Sequence, residues 1–126
     1  MGAAVTCSEE TFGSVKKITW AWTAHTDGVV AVATANAETT KVYNGEIIRL
    51  VTIPGAVGDA PDDNYGVVIY DDDDTDVLMS AGLLRDTANT EQILASSLGC
   101  VANDKLTLYV SGAGASNKGT VHLYIR

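Results

Sequence analysis

A chain of 126 residues, 46% of them apolar, is long enough for one domain with one core and too apolar for a disordered tail. Eight Lys and Arg against sixteen Asp and Glu leave a net charge of −8, so the surface repels a phosphate backbone and excludes direct nucleic-acid binding. No apolar run approaches the ~18 residues of a membrane span, so no membrane partner is expected.

Residues 1–14 are small and polar, and read as an N-terminal arm or a first edge strand. They lack a basic start and an apolar stretch, so no signal peptide is expected. Gly2 and Thr6 formally match a myristoylation start, but no polybasic patch supports it. Residues 15–126 are expected to form one β-sandwich domain. In "VKKITWAWTAH", Ile18, Trp20 and Trp22 alternate with polar or small residues, which marks a half-buried strand with both tryptophans on its core side.

Asp27-Gly28 is a hairpin signal, after which "VVAVATAN" resumes the β pattern. Asn44-Gly45 is a second such signal. It predicts a hairpin between a short strand near Thr40–Tyr43 and a longer one from Glu46 to Ile53. "YGVVIY" and "DVLMSAG" read as two further strands, with the acidic run between them as a hairpin tip. The stretch "RDTANTEQILASSLG" is the one helical candidate, over residues 88–97, with Thr87 or Asn89 as its cap and Gly99 as its stop.

"DKLTLYV" and "TVHLYIR" close the chain as a hairpin around "SGAGASNKG". Leu106, Leu108 and Val110 share a face with Val121, Leu123 and Ile125. Lys105, Thr107 and Tyr109 take the other face with His122, Tyr124 and Arg126. About seven to nine short strands at this spacing, without βαβ alternation, indicate an all-β antiparallel β-sandwich or jelly roll.

Chemistry is hard to find along this chain. His25 lies in a turn and His122 on the polar side of the last strand, and no nucleophile motif accompanies either. Cys7 and Cys100 have no CxxC spacing, and too few His and Cys are present for a zinc site. Paired carboxylates for glycoside hydrolysis remain open, as in any acidic protein. "SGAGASNKG" lacks the GxxxxGK pattern and runs into a strand, so it reads as a flexible tip. No catalytic residue and no cofactor are assigned.

The run Asp71–Asp74, followed by Asp76, allows three readings. Asp72, Asp74 and Asp76 alternate as calcium ligands do, but the sixth position from Asp72 is Val77 rather than Gly and the twelfth is Leu83 rather than Glu. An improvised calcium site, an acidic protein-binding patch and a solvated hairpin tip remain, with the tip the plainest reading. Eight of the eleven aspartates lie between Asp59 and Asp76, so one end of the sandwich becomes strongly negative if the two acidic loops meet.

The succession "KKITWAW", "VYNGEIIRLVTIPG", "DNYGVVIYDDD", "RDTANTEQILASSLG", "VANDKLTLYV" and "KGTVHLYIR" resembles small β-rich structural proteins of tailed bacteriophages, over Val15 to Arg126. The resemblance implies a virion component that is not an enzyme. It suggests a capsid decoration or cement protein bound to the major capsid protein, as a homo-oligomer, either trimer or dimer. A tail or head–tail joining protein is the structural alternative. A carbohydrate-binding β-sandwich, with or without calcium, is the alternative of another class, and it requires exposed aromatics, of which Trp20 and Trp22 are the only tryptophans. Exposure logic nominates Tyr109, His122, Tyr124 and Arg126 as one outward contact face, since Tyr and Arg are enriched at interface hot spots.

Overall fold

Residues 2–126 are described by a computed structural model. It is all-β, an antiparallel sandwich built from two sheets. The strands are β1 (Ala4–Phe12), β2 (Val15–Thr23), β3 (Tyr43–Pro54), β4 (Gly66–Tyr70), β5 (Glu91–Leu94), β6 (Cys100–Asp104), β7 (Thr107–Ser111) and β8 (Lys118–Ile125). The larger sheet has the order β1-β2-β8-β3-β5, with β6 beside the start of β3, and the smaller one pairs β4 with β7. A six-plus-two division is more lopsided than the even division of a jelly roll.

Alternation decides what each strand buries. On β2, Ile18, Trp20 and Trp22 turn inward, and on β8 so do Val121, Leu123 and Ile125. Val67 and Ile69 of β4, and Leu108 and Val110 of β7, close the core from the opposite side. The layers meet in side-chain contacts. The Trp22 and Tyr65 rings lie 5.7 Å apart, and Trp20 Nε1 donates to the Ala37 carbonyl at 2.9 Å.

Residues 4–12 form the edge strand β1, paired with β2 along its whole length. The boundary expected after residue 14 therefore falls in the turn of a hairpin. Glu9 points from β1 toward segment 40–43. It accepts hydrogen bonds from Thr40 N (3.0 Å), Thr40 Oγ1 (2.8 Å), Lys41 N (3.1 Å) and Tyr43 Oη (2.8 Å).

Several sequence expectations need correction. The expected helix over 88–97 is absent. Glu91–Leu94 is a strand paired with Arg49–Thr52, and Ala95–Ser97 is a single 3-10 turn. The polar residues ahead of it do bind backbone, but they build a turn. Asp86 Oδ2 accepts from Ala88 N and Asn89 N, while Thr87 Oγ1 donates to the Pro61 carbonyl. A strand here also satisfies the β3 backbone, which an unpaired edge would leave open.

Asn44-Gly45 makes a bulge, not a hairpin. The β3–β6 register shifts there, and Gly45 takes a φ of 131° that a side chain would strain. Asp27-Gly28 does turn the chain, but the next segment crosses to the other layer, where Val30 bridges Val110. "DVLMSAG" is a series of turns, with Val77 and Leu78 buried in succession and Met79 exposed. The final hairpin is likewise absent, because β7 and β8 belong to different sheets.

Candidate functional site

The register of the larger sheet assembles its outer face row by row. Glu10 opposes Lys17, Lys17 opposes Tyr124, Tyr124 opposes Arg49, and Arg49 opposes Leu94. The next row is Ser8, Thr19, His122, Val51 and Gln92. Thr6, Ala21, Thr120 and Ile53 form the third. Five strands at the usual spacing make this face roughly 20 Å wide.

Tyr124 sits at its centre between two cations. Lys17 Nζ lies 5.7 Å from the ring centroid and Arg49 Cζ lies 5.2 Å from it. That distance is within the range of cation–π attraction. Arg49 Nε also donates to Gln92 Oε1 at 2.9 Å, which holds the guanidinium in place. The His122 ring stands 6.4 Å from Tyr124, and its Nδ1 is 2.8 Å from Thr19 Oγ1. Burial, and then the charges of Lys17 and Arg49, lower the His122 pKa below the ordinary 6.5.

The structure brings together only part of the expected contact face. His122 and Tyr124 share it, and Arg126 follows at the exposed chain end, where its backbone pairs with Glu46. Tyr109 does not belong to it. It lies on β7, in the other sheet, and its ring is 6.2 Å from that of Tyr70. Strand alternation told which side of a strand Tyr109 takes, but not which strand lies beside it. Lys17 and Arg49 were missed for the same reason, since only the register places them against Tyr124.

The acidic run is local architecture. Asp71 Oδ1 accepts from Asp73 N (2.9 Å) and Thr75 N (3.0 Å), and Asp76 accepts from Leu78 N (2.9 Å) and Ser80 N (3.0 Å). Asp72 Oδ2 accepts from Lys105 N at 3.2 Å. Among the described residues, no three His, Cys, Asp or Glu side chains gather as a metal ion requires, so Asp72, Asp74 and Asp76 do not form a ligand set. The two acidic loops do not meet either. Asp59, Asp62 and Asp63 precede β4 and Asp71–Asp76 follow it, roughly 15–20 Å apart along the strand.

The remaining candidates have local roles. His25 Nδ1 lies 3.3 Å from Asp27 Oδ1 and 3.2 Å from Thr26 Oγ1, contacts made within one exposed turn. Both cysteines are free thiols. Burial, with Glu9 adding to it, pushes Cys7 up to about 11, whereas Cys100 is exposed. Trp20 and Trp22, the only tryptophans, are buried, which takes most of the support from a carbohydrate-binding reading that needs exposed aromatics.

No protein family and no curated protein matches the sequence. Among solved structures, the chain is similar to the low-affinity xylan-binding module CBM86 from the xylanolytic gut symbiont Roseburia intestinalis. The match covers 98% of this chain and 88% of that one, at 14% identity and a TM-score of 0.35. A likeness that slight carries no argument.

Proposed function

We propose that this chain is a structural subunit of a bacteriophage particle, a decoration protein that binds the major capsid protein through the outer face of its six-stranded sheet. The observation that carries the proposal is the row Lys17–Tyr124–Arg49, an aromatic ring held between two cations on a broad sheet face. Protein interfaces concentrate their binding energy in such Tyr and Arg anchors. A small ligand, by contrast, is held in a concave pocket that buries most of its surface. The resemblance of the succession of sequence blocks to phage structural proteins is what suggests the particle, and the rigid strand ladder suits a clamp on a shell. A trimer or dimer, and attachment to the tail or the head–tail joint in place of the shell, are variants of the same reading.

The test is cosedimentation of the full chain with purified capsids of the encoding phage. Tyr124→Ser combined with Arg49→Ala is expected to lower occupancy at least ~10-fold, since each anchor is worth about 1–2 kcal/mol. Both side chains are on the outer face, so the melting temperature should move little. Full occupancy by this folded variant defeats the proposal. Electron microscopy of gold-labelled particles separates shell from tail.

A further inference from the structure

The smaller sheet carries a second aromatic feature on its outer side. Val68 and Tyr70 of β4 alternate with the buried Val67 and Ile69, and Thr107 and Tyr109 of β7 alternate with Leu108 and Val110. Val68 opposes Tyr109 and Tyr70 opposes Thr107, so the two tyrosines are diagonal neighbours. Their rings are 6.2 Å apart and tilted by 57°, forming two angled walls. Val32, 49% exposed, comes from the crossing segment that Val30 fastens to Val110. Asp74 stands at the tip of the acidic turn with a φ of 59°. Val32, Tyr70, Asp74 and Tyr109 together line a cleft of about 520 Å³.

The chemistry of this cleft selects its occupant. Asp76 commits both carboxylate oxygens to backbone N–H groups and Asp71 and Asp72 one each, whereas the carboxylates of Asp73 and Asp74 take no part in those bonds, and of these two Asp74 lines the cleft. The ring faces of Tyr70 and Tyr109 carry partial negative charge. Beside them, four successive aspartates add a negative field. An anion is repelled, and a neutral sugar gains from stacking but nothing from the field. A cation gains from both. The opposite face of the molecule already displays this chemistry internally, where Lys17 and Arg49 flank Tyr124. Among the described residues, no cation of this chain lies over Tyr70 or Tyr109, although Lys105 is close in sequence. A second copy is a poor source, because each copy carries a charge of −8 and like-charged copies repel.

We propose that the cleft of Val32, Tyr70, Asp74 and Tyr109 receives a Lys or Arg side chain from a segment of a different protein. The site is separate from the face of Tyr124, and the two can fail independently.

The experiment is an NMR titration of the full, isotope-labelled chain with the peptide acetyl-Thr-Arg-Thr-Arg-Thr-amide. Shifts are expected at Tyr70, Tyr109, Val32 and Asp74. Replacing the arginines by neutral citrulline should weaken binding about 5- to 10-fold, the scale of one cation–π contact and its charge pair. Asp74→Asn, which tolerates the same left-handed backbone, and Tyr109→Leu should each weaken it several-fold. Added salt should weaken it further. The proposal is overturned by equal binding of the arginine and citrulline peptides, or by shifts confined to Asp71–Asp73 and indifferent to Tyr109→Leu. Stronger shifts with cellohexaose than with the arginine peptide would mark a sugar site instead and also overturn it. Concentration-dependent shifts at the cleft without peptide would identify a second copy as occupant and overturn it as well.

Discussion

The two layers of this sandwich cover the same core by different means. The larger sheet does so with long paired strands, β1 with β2, β2 with β8 and β8 with β3, whose side chains fall into rows. The smaller layer has only five paired residues from each of β4 and β7, and the rest of its cover is turns. Side-chain carboxylates hold those turns, Asp71 and Asp76 after β4 and Asp86 further on. Much of the acidity of the chain is therefore structural. It substitutes for a strand ladder where the backbone has none. The two outer faces differ correspondingly, one tyrosine clamped by cations on the ladder side and two tyrosines beside aspartates on the turn side.

That contrast breaks first where the ladder has no slack. Gly119 of β8 opposes Trp22 of β2, and a Cβ there would stand 2.5 Å from Trp22 Cζ2 and 2.8 Å from Cε2. The indole is buried against Tyr65 and has no room to retreat. Gly119→Ala should cost about 3 kcal/mol, the upper part of the range for overpacking. Chemical denaturation measures it. A cost under about 1 kcal/mol would mean that the ladder yields more than close packing allows.

On the turn side the sensitive group is a carboxylate. Asp76→Ala removes the acceptor for Leu78 N and Ser80 N, so about 2 kcal/mol should be lost by the scale of charged hydrogen bonds. Hydrogen exchange should quicken in residues 76–82 and stay slow in β2 and β8. Uniform acceleration across both layers would show that the turns and the ladder unfold as one unit.

How much of this was legible in the sequence follows the same division. Alternation around Trp20, Trp22, Leu123 and Ile125 identified the buried faces of β2 and β8, because a ladder repeats every two residues. The placement of Tyr109 was not legible. Gly112 to Asn117 is a link long enough either to fold back as a hairpin or to cross to the other layer, and its residue types do not decide between them. The false helix has a similar cause. Thr87 and Asn89 are good capping residues, but nearby backbone and Pro61 used the local polar groups first. At the candidate site, His122 and Tyr124 could be named from alternation alone. Lys17 and Arg49 lie more than 70 residues from Tyr124 along the chain and required the pairing register.

Acid pH sharpens the comparison, since Glu9 connects the ladder to segment 40–43. Burial alone would raise its pKa, but hydrogen bonds from Thr40, Tyr43 and Lys41 outweigh that and hold it below the ordinary 4.5. The folded state thus favours the carboxylate. The stabilisation is full above about pH 4.5 and is lost as the pH falls through the lower folded-state value. Because the side chain is partly exposed, Glu9→Gln should cost only about 1 kcal/mol at neutral pH. It should also flatten the acid limb of the melting curve. An unchanged acid limb would assign that stability to other carboxylates.

The smallest expected effect lies at His122, and it has the same sign by a different route. Burial and the neighbouring Lys17 and Arg49 disfavour the imidazolium, so the folded-state pKa is below 6.5. Above pH 6.5 the ring is neutral in both states and contributes no pH dependence. Below it the unfolded chain takes up the proton first, so stability falls with pH and the loss is complete once the folded ring also titrates. His122→Asn should remove this slope and leave the acid limb due to Glu9 untouched. A proton on His122 also adds a third positive charge beside Tyr124. Repulsion from that charge should loosen the Lys17 and Arg49 clamp, so if the proposed capsid attachment uses this face it should weaken only as the pH falls through the folded-state value, below 6.5, in the natural chain and not in His122→Asn. Attachment that weakens equally in both chains would place the pH sensitivity on the partner.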